Sequence, residues 1–133
     1  MLVPVMTNPD GDALLNSRLG APGWKRLCDF SDYPDGWGEH GTGLPLSPAA
    51  LDTLRRVLVV VEFPTGFVPS VFLTKSGHLG LSWEDAEKKS IHLEFTPKVV
   101  SYFFEKGNVE GEVSAADVRA LIALLRGVNA VVA

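Results

Sequence analysis

Ile91-His-Leu-Glu-Phe-Thr-Pro-Lys-Val-Val-Ser-Tyr-Phe-Phe104 is the stretch that decides the fold. Over residues 91–95, apolar Ile91, Leu93 and Phe95 alternate with His92 and Glu94. A period of two places successive side chains on opposite faces of a β-strand. Residues 99–104 keep that period but divide their bulk differently. Val100, Tyr102 and Phe104 fall on one face, and Val99, Ser101 and Phe103 on the other. The second strand therefore carries apolar side chains on both faces.

The same period extends outward from this pair. Upstream, residues 69–74 read as a strand, 75–78 as a turn, and 79–84 as the returning strand, with Leu79, Leu81 and Trp83 on one face. The turn needs Gly77, and Gly80 beside it is expected to serve the same conformational end. Downstream, residues 105–108 turn the chain back into a strand over 109–113. Turns this short join antiparallel neighbours, so the expected sheet is an antiparallel meander of four or five strands. Strand order within it is open, because one crossed connection would leave the same pattern.

Two helices flank the strands in sequence. Ser47 precedes Pro48, the arrangement of an N-cap with proline at the first helical position. Leu46 and Leu51 form a hydrophobic staple across that cap. Leu51, Leu54, Leu58 and Val61 recur at helical spacing, Asp52, Arg55 and Arg56 face solvent, and Phe63-Pro64 ends the element. The β-branched run Val59 to Val61 predicts a last turn buried on more than one side. The second helix is expected to begin at Ser114, with Asp117 completing a capping box and Val113 and Val118 forming the staple. Its buried stripe is Val118, Leu121, Ile122 and Leu125. An apolar sheet face needs a cover. The fold class is therefore α+β in two layers, a four- or five-stranded antiparallel meander covered by two helices.

Residues 1–22 are expected to be a flexible or partly helical lead-in, with 23–133 forming a single α+β domain. A turn is expected at residues 8–11, a short helix capped by Asp12 after it, and another helical turn over 24–30. Between these and the first capped helix lies Tyr33-Pro-Asp-Gly-Trp-Gly-Glu-His-Gly-Thr-Gly-Leu-Pro-Leu-Ser47, rich in glycine and costly in entropy to order. Trp37 is its expected anchor.

Composition narrows the possible functions. At 133 residues the chain suits one hydrophobic core. Its formal net charge of −4 disfavours nucleic-acid binding, and the basic pairs Lys25-Arg26, Arg55-Arg56 and Lys88-Lys89 are separated without interleaved aromatics. Cys28 is the sole cysteine, which excludes an internal disulfide and a thiolate zinc centre and fits a reducing compartment. The opening residues lack the basic and apolar regions of a signal peptide, and no apolar run is long enough to span a bilayer. A cytoplasmic protein with no cofactor and no membrane association is expected.

The polar residues supply candidates for chemistry. Asp32, Asp35 and Glu39 lie near His40 in the glycine-rich segment and form the candidate metal set, although their spacing is not that of a calcium loop. Solvated turn residues match the same pattern. His92 and Glu94 share a strand face and form a second candidate acid–base pair. Cys28 has no neighbouring histidine in sequence to lower its thiol pKa. The stronger signal is aromatic surplus, because two helices cover one sheet face and Phe103 with Val99 belongs to the other. Either residues 1–45 cover that face, or a protein partner or second copy does.

Gly36-Trp37-Gly38-Glu39-His40-Gly41-Thr42-Gly43-Leu44-Pro45-Leu46-Ser47, followed by the capped helix and by Leu81-Ser82-Trp83-Glu84, resembles a group of small uncharacterised bacterial and phage-associated proteins. Their pattern is close to Trp-Asp-Gly-Tyr-Gly-Ala, then Pro and Ser before the first helix, then a Leu-x-Trp-Glu strand. Trp37, Gly38, Gly41, Pro45, Ser47, Leu81, Trp83 and Glu84 match it. The Asp after the Trp is missing, and Glu39 stands where Gly is expected. The resemblance implies a recurring fold and brings no activity with it.

The leading expectation is a non-catalytic protein-interaction module of antitoxin-, immunity- or phage-accessory-like type. Trp37, Val99 and Phe103 would make contact, and Asp32, Asp35 and Glu39 would steer a basic partner. The alternatives are a small metal-dependent hydrolase using His40 with Asp32, Asp35 or Glu39, or using His92 and Glu94, and a structural homodimer.

Overall fold

The computed structural model describes residues 9–38, 40–63 and 68–128. Three helices, α1 (Pro9–Ser31), α2 (Pro48–Val60) and α3 (Val118–Gly127), accompany five strands. These are β1 (Ser70–Leu73), β2 (Leu79–Glu84), β3 (Ser90–Phe95), β4 (Val99–Phe104) and β5 (Val109–Ser114). Strand order in space follows the chain, β1-β2-β3-β4-β5, and every pairing is antiparallel. The α+β class, the two layers, the meander and its cover by α2 and α3 are as the sequence implies. A third helix joins them.

The strand register assigns the two faces. Leu81 stands between Val71 and Leu93, Leu93 opposite Tyr102, and Tyr102 opposite Gly111. That row and its neighbours Leu79, Trp83, Ile91, Phe95, Val100 and Phe104 form the inner face, buried against the helices. Complete burial of a side chain such as Phe95 stabilises the fold by about 1.5–3 kcal/mol. The opposite, outer face carries Phe72, Ser82, His92, Glu94, Ser101, Phe103, Glu110 and Glu112.

Helix α2 follows the sequence reading at its start and departs from it at its end. Ser47 Oγ accepts from the Ala50 amide at 3.2 Å, and Leu46 and Leu51 are both buried. Thr53, fully buried, donates from Oγ1 to Ala49 O and approaches Thr96 O at 2.9 Å, which ties α2 to the β3–β4 turn. The doubly buried last turn is corrected, since Val59 and Val60 are 57% and 45% exposed. Only Val57, Leu58 and Val61 turn inward, because α2 packs on one side and its outer flank meets solvent. Arg55 is half-buried rather than facing solvent, and its guanidinium lies 3.5 Å from Asp52.

The start of α3 also shifts. Asp117 is its N-cap and accepts from the Ala120 amide at 3.2 Å. Ser114 ends β5, and its hydroxyl accepts from the Ala116 amide in a local turn. The expected capping box starting at Ser114 thus gives way to a turn, because β5 pairing with Val99 extends through Ser114. The predicted stripe holds, with Leu121 and Leu125 buried and Val118 and Ile122 packed against the core.

Helix α1 crosses the boundary expected after residue 22. Leu15 and Leu19, on the lead-in side, have no solvent exposure and share the core with Leu27. Gly20, at φ 77° and ψ 165°, breaks the helical path into two arms, and Pro22 lies at the start of the second. Pro9 begins the first arm instead of belonging to a turn, a position where proline loses no hydrogen bond. From this helix Arg18 donates to the Leu58 carbonyl at 2.9 Å and lies 3.4 Å from Glu62. A cation there satisfies a carbonyl in the final turn of α2 and opposes the negative end of its dipole. Arg26 donates to the Val71 carbonyl at 3.0 Å, which blunts the β1 edge of the sheet.

Candidate functional site

The glycine-rich segment is ordered by its own contacts. The Gly36 amide donates to Gly43 O and the Gly43 amide to Trp37 O, closing a small antiparallel bridge. Trp37 Nε1 donates to the Leu44 carbonyl, and its ring lies against Gly43, where a Cβ would overlap the indole. Tyr33 packs between Phe30 and Trp37, with centroids 5.5 Å from each, and Arg26 stands over Phe30 at 5.6 Å. At its exit, the Leu44 and Ser47 amides donate to Lys75 O and Gly77 O of the β1–β2 turn. Trp37 is therefore the anchor of the loop, half-buried and committed to its internal structure.

Asp32, Asp35 and His40 are each exposed. Glu39 lies outside the described residues. Among the described residues no group of three or more His, Cys, Asp or Glu side chains is placed to hold a metal. Cys28 is half-buried on α1, packed against the core.

The outer face of the sheet carries the other candidates. A groove of about 270 Å³ crosses it, with Phe72, His92, Glu94, Ser101, Phe103 and Glu110 among its lining residues. Register brings them together: His92 is paired with Phe103, Glu94 with Ser101, and Phe103 with Glu110. His92 and Phe103 stack with centroids 6.1 Å apart and ring planes at 30°. Phe72 lies over Gly80, the absence of whose side chain opens the floor between β1 and β3. Gly80 thus serves close approach and not the turn; the positive φ of that hairpin belongs to Gly77, at 79°. Glu94 Oε2 is 3.3 Å from His78 Nδ1. Ser101 Oγ is 3.4 Å from Glu112 Oε2.

Phe103 and Val99 do not form one patch. Val99 stands at the start of β4, opposite Ser114, and its carbonyl accepts from Thr96, while Phe103 belongs to the groove four strand positions along. The place expected of Val99 is taken by Phe72, 36% exposed, which lies in the short strand β1 and carries no periodicity signal of its own. Helix α1 packs on β1 and α2, within the layer that covers the inner face. Among the described residues none of the helices packs over the groove. Residues 9–38 and 40–45 therefore do not provide the cover that the sequence allowed for.

The four glutamates of β1–β5, Glu84, Glu94, Glu110 and Glu112, point to this outer face, and none of these five strands contains a lysine or arginine. Among the described residues no lysine or arginine pairs with any of them. Asp29, Asp52, Glu62 and Glu87, away from this face, each have such a partner. The face is chemically a shallow aromatic trough with acidic walls.

Comparison with known proteins returned no matching family model, no similar curated protein and no similar solved structure. No described helix is long and apolar enough to cross a membrane.

Proposed function

We propose that this protein is a non-catalytic interaction module that holds a protein partner on the open outer face of its sheet. The observation that carries the reading is the aromatic groove of Phe72, His92 and Phe103 on a sheet face that no described helix covers. Partly exposed aromatic side chains in a concave site suit interface anchors, since they lose little conformational entropy on contact. The exposed Asp32 and Asp35 add to a negative surface that steers a basic partner. Small size, acidic charge and the absence of a convergent catalytic set among the described residues suit a protein that masks another, in the manner of an antitoxin, immunity or phage-accessory protein. A single cysteine suits work in the cytoplasm.

A second reading, a small hydrolase, is favoured by one fact: His92, Glu94 and Ser101 line the same groove. Against it, the imidazole beside Glu94 is that of His78, and Ser101 approaches Glu112 instead of His92.

The test is a tagged pull-down from native lysate with quantitative mass spectrometry, using the wild-type chain and a Phe103→Ser variant of verified fold. A stoichiometric partner lost only in the variant supports the module. Sedimentation of the purified chain at micromolar concentration runs beside it. A dimer abolished by Phe103→Ser replaces the module with self-association, and a monomer without any partner overturns both.

A further inference from the structure

The groove has a shape and charge that define what enters it. Its volume, about 270 Å³, lies below the range of about 300–1,000 Å³ usual for drug-sized ligands and suits one long side chain. Ring faces bound it, with the Phe103–His92 stack on one side and Phe72 over Gly80 on the other, and Leu93 and Tyr102 complete its lining. Its polar surface consists of Glu94, Glu110 and the Ser101 hydroxyl. An uncharged apolar side chain would bury Glu110 without a counter-charge and leave Glu94 with only the His78 imidazole beside it, which is costly. A cation would pair with them and be attracted to the ring faces.

We infer that the groove receives an arginine side chain presented by the protein partner. This rests on the reading of the outer face as a docking surface and states the chemistry that the surface selects. Guanidinium is preferred to ammonium on physical grounds. It is planar, so it stacks along the Phe103 face while its fork of N–H donors reaches the carboxylates of Glu94 and Glu110. It is also more weakly hydrated than a lysine ammonium, so it loses less on entering a trough floored by β-sheet. The four strand glutamates, unopposed by any strand lysine or arginine, supply the field that draws it in. A second copy of this chain docked by the same face would set these glutamates against their own equivalents.

The probe is arginine capped as its N-acetyl methylamide, titrated into the ¹⁵N-labelled intact chain and followed by amide chemical shifts. Matched lysine and citrulline derivatives serve as controls, citrulline being nearly isosteric with arginine and neutral. Shifts should concentrate at His92, Glu94, Ser101, Phe103 and Glu110, be weaker with lysine and vanish with citrulline. The Glu94→Gln/Glu110→Gln variant should bind arginine about tenfold or more weakly. A Phe103→Leu variant, which keeps both carboxylates and most of the volume, should also weaken it. Equal response to citrulline, or arginine shifts confined to Asp32 and Asp35 with the groove silent, overturns the inference. If the groove is silent while a captured partner still depends on Phe103, the arginine inference fails and the docking surface stands. If no partner depends on Phe103, the docking surface itself fails.

Discussion

The ring of Phe72 in β1 occupies the space that a side chain at position 80 in β2 would fill, and the two residues are directly paired in the sheet. The contact is with the distal ring atoms of a partly exposed side chain. A methyl group at position 80 therefore displaces the ring and not the backbone. Gly80→Ala should leave global stability within about 1 kcal/mol of wild type, because the ring that must move is itself partly exposed, yet rearrange the groove. Denaturant unfolding combined with the aromatic NMR signals of Phe72 checks this. Unchanged Phe72 shifts in the variant would contradict it.

Gly77 presents the opposite case. Its φ is 79°, and a Cβ there would overlap the carbonyl oxygen of Pro45, which is backbone held by the loop exit. The Gly77 carbonyl also accepts from the Ser47 amide at 2.8 Å, at the N-cap of α2. Gly77→Ala should cost about 2–4 kcal/mol, since left-handed strain and a backbone collision act together. Urea unfolding midpoints of the two glycine variants should differ widely, with position 77 the more damaging.

The cap of α3 separates two descriptions of the same four residues. Asp117→Ala removes the acceptor of the Ala120 amide and should cost about 1 kcal/mol. Ser114→Ala removes only a local turn contact to Ala116 and should cost a few tenths of a kcal/mol. A capping box begun by Ser114 would make that substitution at least as costly as the one at Asp117. Thermal melts of both variants decide the order.

Lys106 Nζ donates to Glu87 Oε1 at 2.7 Å, and this hydrogen bond, followed by the charge of Glu87, raises the lysine pKa above its ordinary 10.5. Because the folded value exceeds the unfolded one, the pair's contribution to stability is complete below the unfolded pKa. It is lost as pH rises through the folded value. The ammonium is exposed, so the effect on stability is small. NMR titration should find Lys106 losing its proton at higher pH than in a Glu87→Gln variant. Coincident titration in the two proteins would remove the interaction.

The local signals in the sequence were strong where one element is decided by its own residues. Alternation over Ile91, Leu93 and Phe95 fixes a strand and its inner face, and the Ser47-Pro48 cap fixes the start of α2, because pleat and capping depend on neighbours in the chain. The same information could not place Val59 and Val60 in solvent, since β-branched residues at a helix end carry no record of which side the sheet will take. Nor could it bring Leu15 and Leu19 into the core. Gly20, Pro22 and Gly23 stand between the two expected helical pieces, and only packing against α2 and β1 makes them a bend between two arms of one helix.

The groove lies entirely on the tertiary side of that division. Phe103 announced itself by facing away from Val100 and Phe104, but Phe72 and Gly80 become a wall and a floor only when β1 registers on β2. Glu110 and Glu94 join one acidic surface only when β3, β4 and β5 align. Sequence determined which side chains each strand would present on either face. Tertiary structure decided which of them meet, because cross-strand neighbours are set by register and turn length and not by distance along the chain.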